Sequence, residues 1–459
     1  MITFDFSNIL EKNIGQEHGL PSGFPALYSE IIRKGYGRIE NGRGHAPYDF
    51  MELPYQSCAT ILEFKEKLAR YNNFVVVGIG GSALGAYSLF KSLKHYYHNL
   101  MSDKRIFFCD NSDPRTLADI FDVVELKTTV FNVITKSGST AETMSALSEI
   151  ADVLERNGLS LNEHLIATTD PEKGDLCAIA ARFDIPTLEI SSGVGGRYSV
   201  FTSVGLLPAL FLDIDIKALL DGAKEVDSMW RRMPTEENPI ALSALVNYIY
   251  DTEKDHTILA MMCYKDGLFG VGQWYQQLWA ESLGKQFNNE KEDVYSGSMP
   301  VVLRGASDQH SVLQLFMEGP HDKLTVFLDA DDVGRDIKFQ TTILGDYKSI
   351  SYFNGKTAKD LIQAELKGVR YALAMANRPN YTITIDKMDA YHIGGLLYMF
   401  ELQTVMAATL YDVNPFDQPG VEDGKKATYA LMGREGYEQK RDEMNNNIHE
   451  EYLLRIEEK

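Results

Sequence analysis

The sequence predicts an α/β fold with two doubly wound parallel sheets and a C-terminal helical segment. The first half of the chain carries five short β-branched or aromatic runs: FVVVGIG (74–80), RIFFCDN (105–111), VFNVITK (130–136), HLIATTD (164–170) and PTLEISS (186–192). Amphipathic helical patterns separate these runs, as in ALGAYSLFKSLKHYY and TAETMSALSEIADVLERN. Nearly continuous apolar strands that alternate with helices indicate a parallel sheet covered on both faces.

A second series of apolar runs predicts the second sheet. It comprises TILAMMCY (257–264), MPVVLRG (299–305), KLTVFLD (323–329) and, with a weaker pattern, TTILGDY (341–347). A chain of 459 residues is too long for one ordinary core and suits two domains. We therefore predict four parts, which are an N-terminal segment over 1–40, a first α/β domain over 41–200, a second over 201–434 and a charged helix over 435–459.

Composition and charge exclude several classes of protein. Asp and Glu number 65 against 45 Lys and Arg, so the chain lacks the excess of cations that nucleic-acid binding requires. Apolar runs such as VGLLPALFL are interrupted before the roughly 18 residues that a membrane span needs. The four cysteines lie far apart without a CxxC pair, which predicts neither a zinc site nor a disulfide framework. We expect a cytoplasmic protein with neither a nucleic-acid nor a membrane partner.

The glycine-rich stretch VVVGIGGSALG (75–85) lies between a predicted strand and a predicted helix, where doubly wound sheets bind ligands. As a dinucleotide motif the pattern is only GxGxxA. The nearest acidic residue that could hold a ribose, Asp110, comes 30 residues after Gly80 rather than about 20. The other interpretation is that this glycine-rich loop binds no ligand.

A second loop, VITKSGSTAET, ends the third predicted strand and enters a helix at about Ala141. Hydroxyls and free N–H groups at a helix N-terminus fit a phosphate monoester, because its oxygens accept several hydrogen bonds and the helix dipole favours its charge. One such loop is more commonly an N-cap. Two loops on neighbouring strands favour a shared cradle for a small molecule. The hydroxyl side chains around Gly138 are Thr135, Ser137, Ser139 and Thr140.

Six segments of the chain resemble the glucose-6-phosphate isomerase family, and they occur in the family's order. The segments are GIGGSALG, ITKSGST, VGGRYSVFTSVG (194–205), QQLWAESLGK (276–285), SDQHSVLQLF (307–316) and FDQPGVEDGK (416–425). The resemblance implies two sugar-isomerase-type domains that interconvert glucose 6-phosphate and fructose 6-phosphate by ring opening and proton transfer through a cis-enediol. It also implies a set of substrate-binding residues: Gly81, Ser82, Thr135, Lys136, Ser137, Gly138, Ser139, Thr140 and Gln277.

Glu281 is the candidate base. In GQWYQQLWAESLGK, Trp274, Leu278 and Glu281 fall at i, i+4 and i+7, which places the carboxylate on the same helix face as two large apolar groups. A carboxylate on an apolar face is costly unless it is used or paired. A charge at the helix edge, paired with Lys285, is the alternative from the pattern alone, and the resemblance favours catalysis.

The resemblance supplies three further catalytic residues. Arg197, which follows two glycines, would stabilise the enediolate with a permanent charge; its alternative is a buried structural arginine paired with a carboxylate. His310 would assist ring opening from the partner subunit of a homodimer, and imidazole can donate or accept near neutrality. Lys425 would lie near the ring or the opened hydroxyls. Proton transfer through an enediol needs no metal and no cofactor, so we expect neither.

Two other classes of function compete with this prediction. An oxidoreductase would use the first glycine loop for NAD, and a sugar-phosphate sensor would keep the phosphate loops but lose the base or the ring opener. Because Glu281, His310, Arg197 and Lys425 are all present, the sequence favours an isomerase whose substrate is a small sugar phosphate.

Overall fold

Two five-stranded sheets organise the protein in the computed structural model, which describes residues 1–447 and Leu454. A separate antiparallel pair of short strands, Lys285–Phe287 and Asp293–Ser296, accompanies them. The strands are β1 (Ile2–Asp5), β2 (Asn73–Val77), β3 (Arg105–Cys109), β4 (Thr129–Thr135), β5 (Leu165–Thr169), β6 (Thr187–Glu189), β7 (Ile258–Cys263), β8 (Lys285–Phe287), β9 (Asp293–Ser296), β10 (Met299–Arg304), β11 (Lys323–Asp332) and β12 (Asn380–Lys387).

The first sheet has the strand order β3-β2-β4-β5-β6, and all its pairings are parallel. Every residue of β2, β4 and β5 is buried, as expected for a parallel sheet with both faces covered. All five predicted strands of the first half are confirmed. The chain moves outward in opposite directions from β2 and β4, so the crevice between their carboxyl ends is the switch point where such folds bind ligands.

The second sheet has the order β1-β12-β11-β7-β10 and corrects one sequence prediction. Strands β7, β10 and β11 are confirmed, but TTILGDY forms an exposed turn in which the side chain of Ile343 is 90% exposed. The fourth parallel strand is instead β12, whose first four residues are buried against β11. The N-terminal segment supplies β1, which pairs with β12 in the antiparallel direction.

Helices cover both sheets and follow the predicted alternation. The pattern ALGAYSLFKSLKHYY is helical only over Leu84–Leu93, whereas the pattern beginning TAETMS is helical over Ala141–Arg156. The helices are Glu11–His18, Phe24–Leu27, Ser29–Gly42, Ala59–Leu62, Phe64–Ala69, Leu84–Leu93, His98–Met101, Pro114–Val123, Ala141–Arg156, Leu161–His164, Asp175–Arg182, Ser203–Phe211, Ile216–Arg232, Pro239–Glu253, Phe269–Leu283, Leu313–Glu318, Lys348–Ser351, Ala358–Met375, Ala390–Leu410, Glu422–Leu431 and Glu438–Asn447.

The helix Ala390–Leu410 is long and apolar enough to cross a membrane by length and composition, with 21 residues and a mean hydropathy of 1.3. Its most apolar window is 89% buried inside the protein. It packs against the helices Ile216–Arg232 and Pro239–Glu253. Burial in the core therefore accounts for its apolar composition.

By contacts, the chain forms two compact units, residues 1–416 and residues 417–459. Both sheets belong to the first unit. The second unit contains the helices Glu422–Leu431 and Glu438–Asn447. The predicted charged helix over 435–459 is thus described as far as Asn447, and its remainder, apart from Leu454, lies outside the described residues. The boundaries between the four predicted parts of the chain stay predictions.

Candidate active site

The first glycine loop makes close contact with two other segments of the candidate site. Gly80 has φ = +57°, a conformation that favours glycine, and a Cβ at this position would lie 2.8 Å from Nε2 of Gln277. A Cβ on Gly81 would lie 2.4 Å from the carbonyl oxygen of Gly196. Ser82, the last residue of the loop, is partly exposed. The loop at the end of β2 therefore joins the helix Phe269–Leu283 and the turn that carries Arg197.

The second loop, at the end of β4, clusters three hydroxyls. The Oγ1 atoms of Thr135 and Thr140 lie 2.8 Å apart, and Oγ of Ser137 lies 3.3 Å from Thr135 and 3.4 Å from Thr140. Thr140 occupies the N-cap position of the helix Ala141–Arg156, yet its hydroxyl makes no capping hydrogen bond. The N-cap alternative therefore does not explain this hydroxyl, and the first amides of a 16-residue helix are left without a side-chain cap.

Neighbouring residues fix the shape of this second loop. Gly138 has φ = +66°, and a Cβ there would lie 2.7 Å from Cα of Gly174. The Ser139 amide donates to Oγ of Ser137 over 3.3 Å. The Lys136 ammonium donates over 2.7 Å to the carbonyl oxygens of both Ser192 and Val194, and burial lowers its pKa. In this structure Lys136 thus holds the segment that leads into Arg197.

Arg197 and Glu281 form an ion pair at the centre of the candidate site. Nη1 of Arg197 donates to Oε2 of Glu281 over 2.7 Å; the arginine side chain is only 6% exposed and the carboxylate 32% exposed. The structural alternative for Arg197, a buried arginine paired with a carboxylate, describes this contact, but the carboxylate is the candidate base itself. Because Glu281 remains partly open to solvent, the pair lies where a small molecule can reach it.

Gln277 joins the ion pair to the first loop. Its Nε2 donates to Oε1 of Glu281 over 3.0 Å and lies beside Gly80. Trp274 and Leu278 are buried on the same helix, as the periodicity predicts. The ammonium of Lys285 donates to the main-chain carbonyl of Glu281 over 2.7 Å, so this contact is not the side-chain pairing of the sequence alternative.

His310 ends a short 3₁₀ turn after β10 and is exposed. Gly272, near the start of the helix Phe269–Leu283, lies beside Val302 of β10, whereas Trp279, near the helix end, donates from Nε1 to Oγ of Ser298 over 3.2 Å. The chain from Ser298 through β10 therefore runs antiparallel to the helix, away from Glu281. His310 follows β10 at the opposite end, so the structure does not bring it to Glu281 of the same chain.

Lys425 lies in the second unit, on the helix Glu422–Leu431. Its side chain is 49% exposed and its ammonium lies 2.9 Å from the carboxylate of Glu422. Its role at the site stays a prediction.

Two residues that position Arg197 were not predicted from the sequence. Nε of Arg197 donates to Oγ of Ser282 over 3.2 Å, and Nη2 donates to the carbonyl oxygen of Pro415 over 2.9 Å. Tyr198 places its hydroxyl 3.2 Å from the same Ser282 oxygen. In sequence, Ser282 follows Glu281 and Tyr198 follows Arg197. This adjacency to two candidate residues was the one sequence signal that pointed to them.

Within residues 1–447 and Leu454, no group of three or more His, Cys, Asp or Glu side chains is arranged to hold a metal ion. The donors that converge on the two loops are hydroxyls, amides and one guanidinium, which are partners for an anion rather than for a cation.

Known proteins resemble this chain over most of its length. A family model described as phosphoglucose isomerase matches residues 65–448. A glucose-6-phosphate isomerase of Carboxydothermus hydrogenoformans is 40% identical over 454 residues, covering 96% of this chain and 97% of that protein. One of Rubrobacter xylanophilus is 40% identical over 445 residues, covering 95% and 99%.

Solved structures share the fold. A hypothetical protein of Thermus thermophilus superposes with a TM-score of 0.83 at 29% identity, covering 94% of this chain and all of that one. A glucose-6-phosphate isomerase of Chlamydia trachomatis superposes with a TM-score of 0.81 at 20% identity, covering 97% and 91%. The fold and the two loops define a sugar-isomerase-type α/β protein. More specifically, the chain belongs to the phosphoglucose isomerase family.

Proposed function

We propose that this protein is an aldose–ketose isomerase that interconverts glucose 6-phosphate and fructose 6-phosphate, in glycolysis and gluconeogenesis. The observation that carries the proposal is the ion pair of Glu281 and Arg197 beside the first glycine loop, in which Arg197 is buried and Glu281 is partly exposed. Family membership supports the aldose–ketose isomerase class and a sugar phosphate substrate.

The two loops at the switch point suit the phosphate end of the substrate. The hydroxyl cluster of Thr135, Ser137 and Thr140 offers hydrogen bonds, and the uncapped amides of the helix Ala141–Arg156 add donors and a favourable dipole. A phosphate held there lies at the crevice edge of β2 and β4, next to the loop that touches Gln277. The phosphate then anchors the sugar chain beside the ion pair.

Glu281 suits the proton transfer. Its carboxylate takes the proton from C2 of the opened aldose, which leaves an enediolate with its charge on the C1 oxygen. The proton of the C2 hydroxyl then moves to the C1 oxygen, and Glu281 returns its own proton to C1 to give the ketose. Negative charge develops on the C1 and C2 oxygens, where the Arg197 guanidinium stabilises it. The distance of 2.7 Å between the two side chains supports their action on one small substrate.

Ring opening requires a second acid or base, and we assign it to His310 of a second subunit in a homodimer. The antiparallel course of β10 and the helix Phe269–Leu283 supports this assignment. Glu281 lies 12 residues after Phe269, which at 1.5 Å per residue is about 18 Å along the helix. A twofold dimer lets each chain lend His310 to the other. We assign Lys425 to the opened hydroxyls on the family pattern, and the cytoplasm as the location; the four unpaired cysteines fit a reducing compartment.

A coupled assay tests the function. Purified wild-type protein should convert fructose 6-phosphate to glucose 6-phosphate, read as NADPH formation by an added glucose-6-phosphate dehydrogenase. Glu281→Gln keeps the size and the hydrogen bond from Gln277 but cannot carry the proton, so kcat should fall by roughly three orders of magnitude or more while 6-phosphogluconate still binds. An inactive wild type, or a variant that retains more than about a tenth of wild-type kcat, contradicts the proposal.

A further inference from the structure

The guanidinium of Arg197 donates hydrogen bonds from three of its nitrogen atoms. Nη1 donates to Glu281, Nη2 to the carbonyl oxygen of Pro415 and Nε to the hydroxyl of Ser282. The first of these partners belongs to the proposed reaction and the second is main chain. Ser282 is a fully buried side chain that fixes the guanidinium through its Nε atom.

Ser282 is in turn held by Tyr198. Their hydroxyl oxygens lie 3.2 Å apart, and both residues are buried, at 0% and 1% exposure. The Tyr198 ring packs against Phe50 and Phe416, with ring centroids 4.8 and 5.3 Å away. Burial raises the pKa of the Tyr198 phenol, so it remains a neutral hydroxyl. The rigid aromatic ring thus anchors a short hydrogen-bond chain that ends at Nε of Arg197.

We propose that Ser282 and Tyr198 are positioning residues for the isomerisation, which hold Arg197 so that its Nη1 edge faces Glu281 and the C1 and C2 oxygens of the substrate. This inference rests on the proposed function. Neither hydroxyl touches the reacting atoms. Both act through the orientation of one buried guanidinium.

The physical reason is that the enediolate charge exists only during the reaction. A guanidinium already directed at those oxygens stabilises the charge without having to reorganise. Removing the Ser282 hydroxyl leaves the buried Nε without this acceptor, and the guanidinium gains by turning toward another one. Stabilisation of the enediolate then falls, whereas phosphate binding at the two loops is untouched.

Ser282→Ala tests the proposal through a split between binding and turnover. We expect kcat to fall about tenfold or more while KM stays within about threefold. Affinity for a hydroxamate analogue of the enediolate should fall in parallel with kcat. Affinity for glucitol 6-phosphate, which carries the phosphate but no enediolate charge, should not change. Titration calorimetry measures both affinities.

Tyr198→Phe removes one oxygen and keeps the packed ring, so it carries the test if Ser282→Ala does not fold. It should show the same split with a smaller loss of kcat, roughly threefold. Because both hydroxyls act through one chain, the double variant should resemble Ser282→Ala rather than show the product of the two losses. Ser243→Ala is the matched control: this serine is also fully buried and accepts from Gln403 over 2.8 Å, but it does not contact Arg197. It should lower the melting temperature and leave kcat unchanged.

Three results overturn the proposal: unchanged kcat in a folded Ser282→Ala, equal loss of affinity for both ligands, or multiplying losses in the double variant. Each is scored against an active wild type. An inactive wild type defeats the proposed function itself, whereas an active wild type with an unaffected Ser282→Ala defeats only the positioning role.

Discussion

At the scale of single residues, the sequence predicted the candidate base but not its partner. Helical periodicity placed Glu281 beside Trp274 and Leu278, and both apolar residues are buried. The ion pair with Arg197 joins positions 84 apart in sequence. No local pattern encodes such a contact, because it depends on how the turn Gly196–Tyr198 packs against the helix Phe269–Leu283, which follows a strand of the second sheet. The same limitation hid the contact of Arg197 with Ser282.

A second carboxyl, to which no sequence pattern pointed, is buried in the core. Glu401 lies on the helix Ala390–Leu410 with 0% exposure, and neither of its carboxyl oxygens has a hydrogen-bond partner among the described residues. Burial raises its pKa well above the usual value, so it is a neutral acid in the folded protein. In the unfolded chain the same group ionises near pH 4.5.

Glu401→Gln should therefore change how stability depends on pH. Between about pH 4.5 and its raised pKa in the folded state, Glu401 holds more of its proton in the folded wild type than in the unfolded chain, so the stability of the wild type falls as pH rises through that window. The glutamine has no proton to gain. We measure the melting temperatures of both proteins by calorimetry at pH 5 and pH 8. The difference, variant minus wild type, should increase by on the order of a few degrees from pH 5 to pH 8. A difference between the two proteins that is the same at both pH values contradicts a neutral Glu401.

At the scale of elements, short apolar and β-branched runs predicted the parallel strands of the first sheet. All five runs of the first half form strands; β2, β4 and β5 are buried throughout, whereas the edge strands β3 and β6 are buried only in part. TTILGDY failed because its Gly345–Asp346 turn breaks the run and nothing covers Ile343, which is 90% exposed. The alternating NYTITIDK of β12 carried the signal instead. Pairing of β1 with β12 spans almost the whole chain and has no local signature.

The second loop shows what the structure adds to a motif. The sequence left an N-cap and a phosphate cradle open for Thr140. Its hydroxyl bonds to Thr135 rather than to the helix, which favours the cradle. For this loop the sequence motif identified the hydroxyl residues, and the structure showed which of them contact one another.

Replacing both Ser137 and Thr140 by alanine should weaken binding of 6-phosphogluconate by roughly a hundredfold or more. Each lost hydrogen bond to a charged phosphate costs about 1.5 to 3 kcal/mol, and about 1.4 kcal/mol is a factor of ten in affinity. Titration calorimetry measures the loss. Ser145→Ala is the control, because Ser145 lies one turn into the same helix and donates to the carbonyl oxygen of Glu142. Unchanged affinity in the double variant places the phosphate elsewhere.

At the scale of the whole molecule, a chain with a net charge of −20 is proposed to bind an anion. Screening over about 8 Å at physiological salt makes distant surface carboxylates matter little. The local groups decide the sign of the site, and these are a buried guanidinium, an uncapped helix and clustered hydroxyls. The prediction that the chain has no nucleic-acid partner is therefore compatible with a sugar phosphate as substrate.

The proposed construction of the site from two chains also belongs to the scale of the whole molecule. Because β10 runs antiparallel to the helix Phe269–Leu283, His310 and Glu281 lie toward opposite ends of this helix. In a twofold dimer each site then combines Glu281 of one chain with His310 of the other. Neither variant, Glu281→Gln or His310→Ala, can build a complete site by itself.

Mixed dimers test most directly whether one isomerase site is built from these two residues of two chains. Glu281→Gln and His310→Ala are unfolded, mixed in equal amounts and refolded, and native mass spectrometry confirms that mixed dimers form. Random pairing makes half the dimers mixed, each with one intact site of two, so activity should recover to roughly a quarter of the wild type from two nearly inactive parents. Confirmed mixed dimers with no more activity than the parents would contradict the shared site.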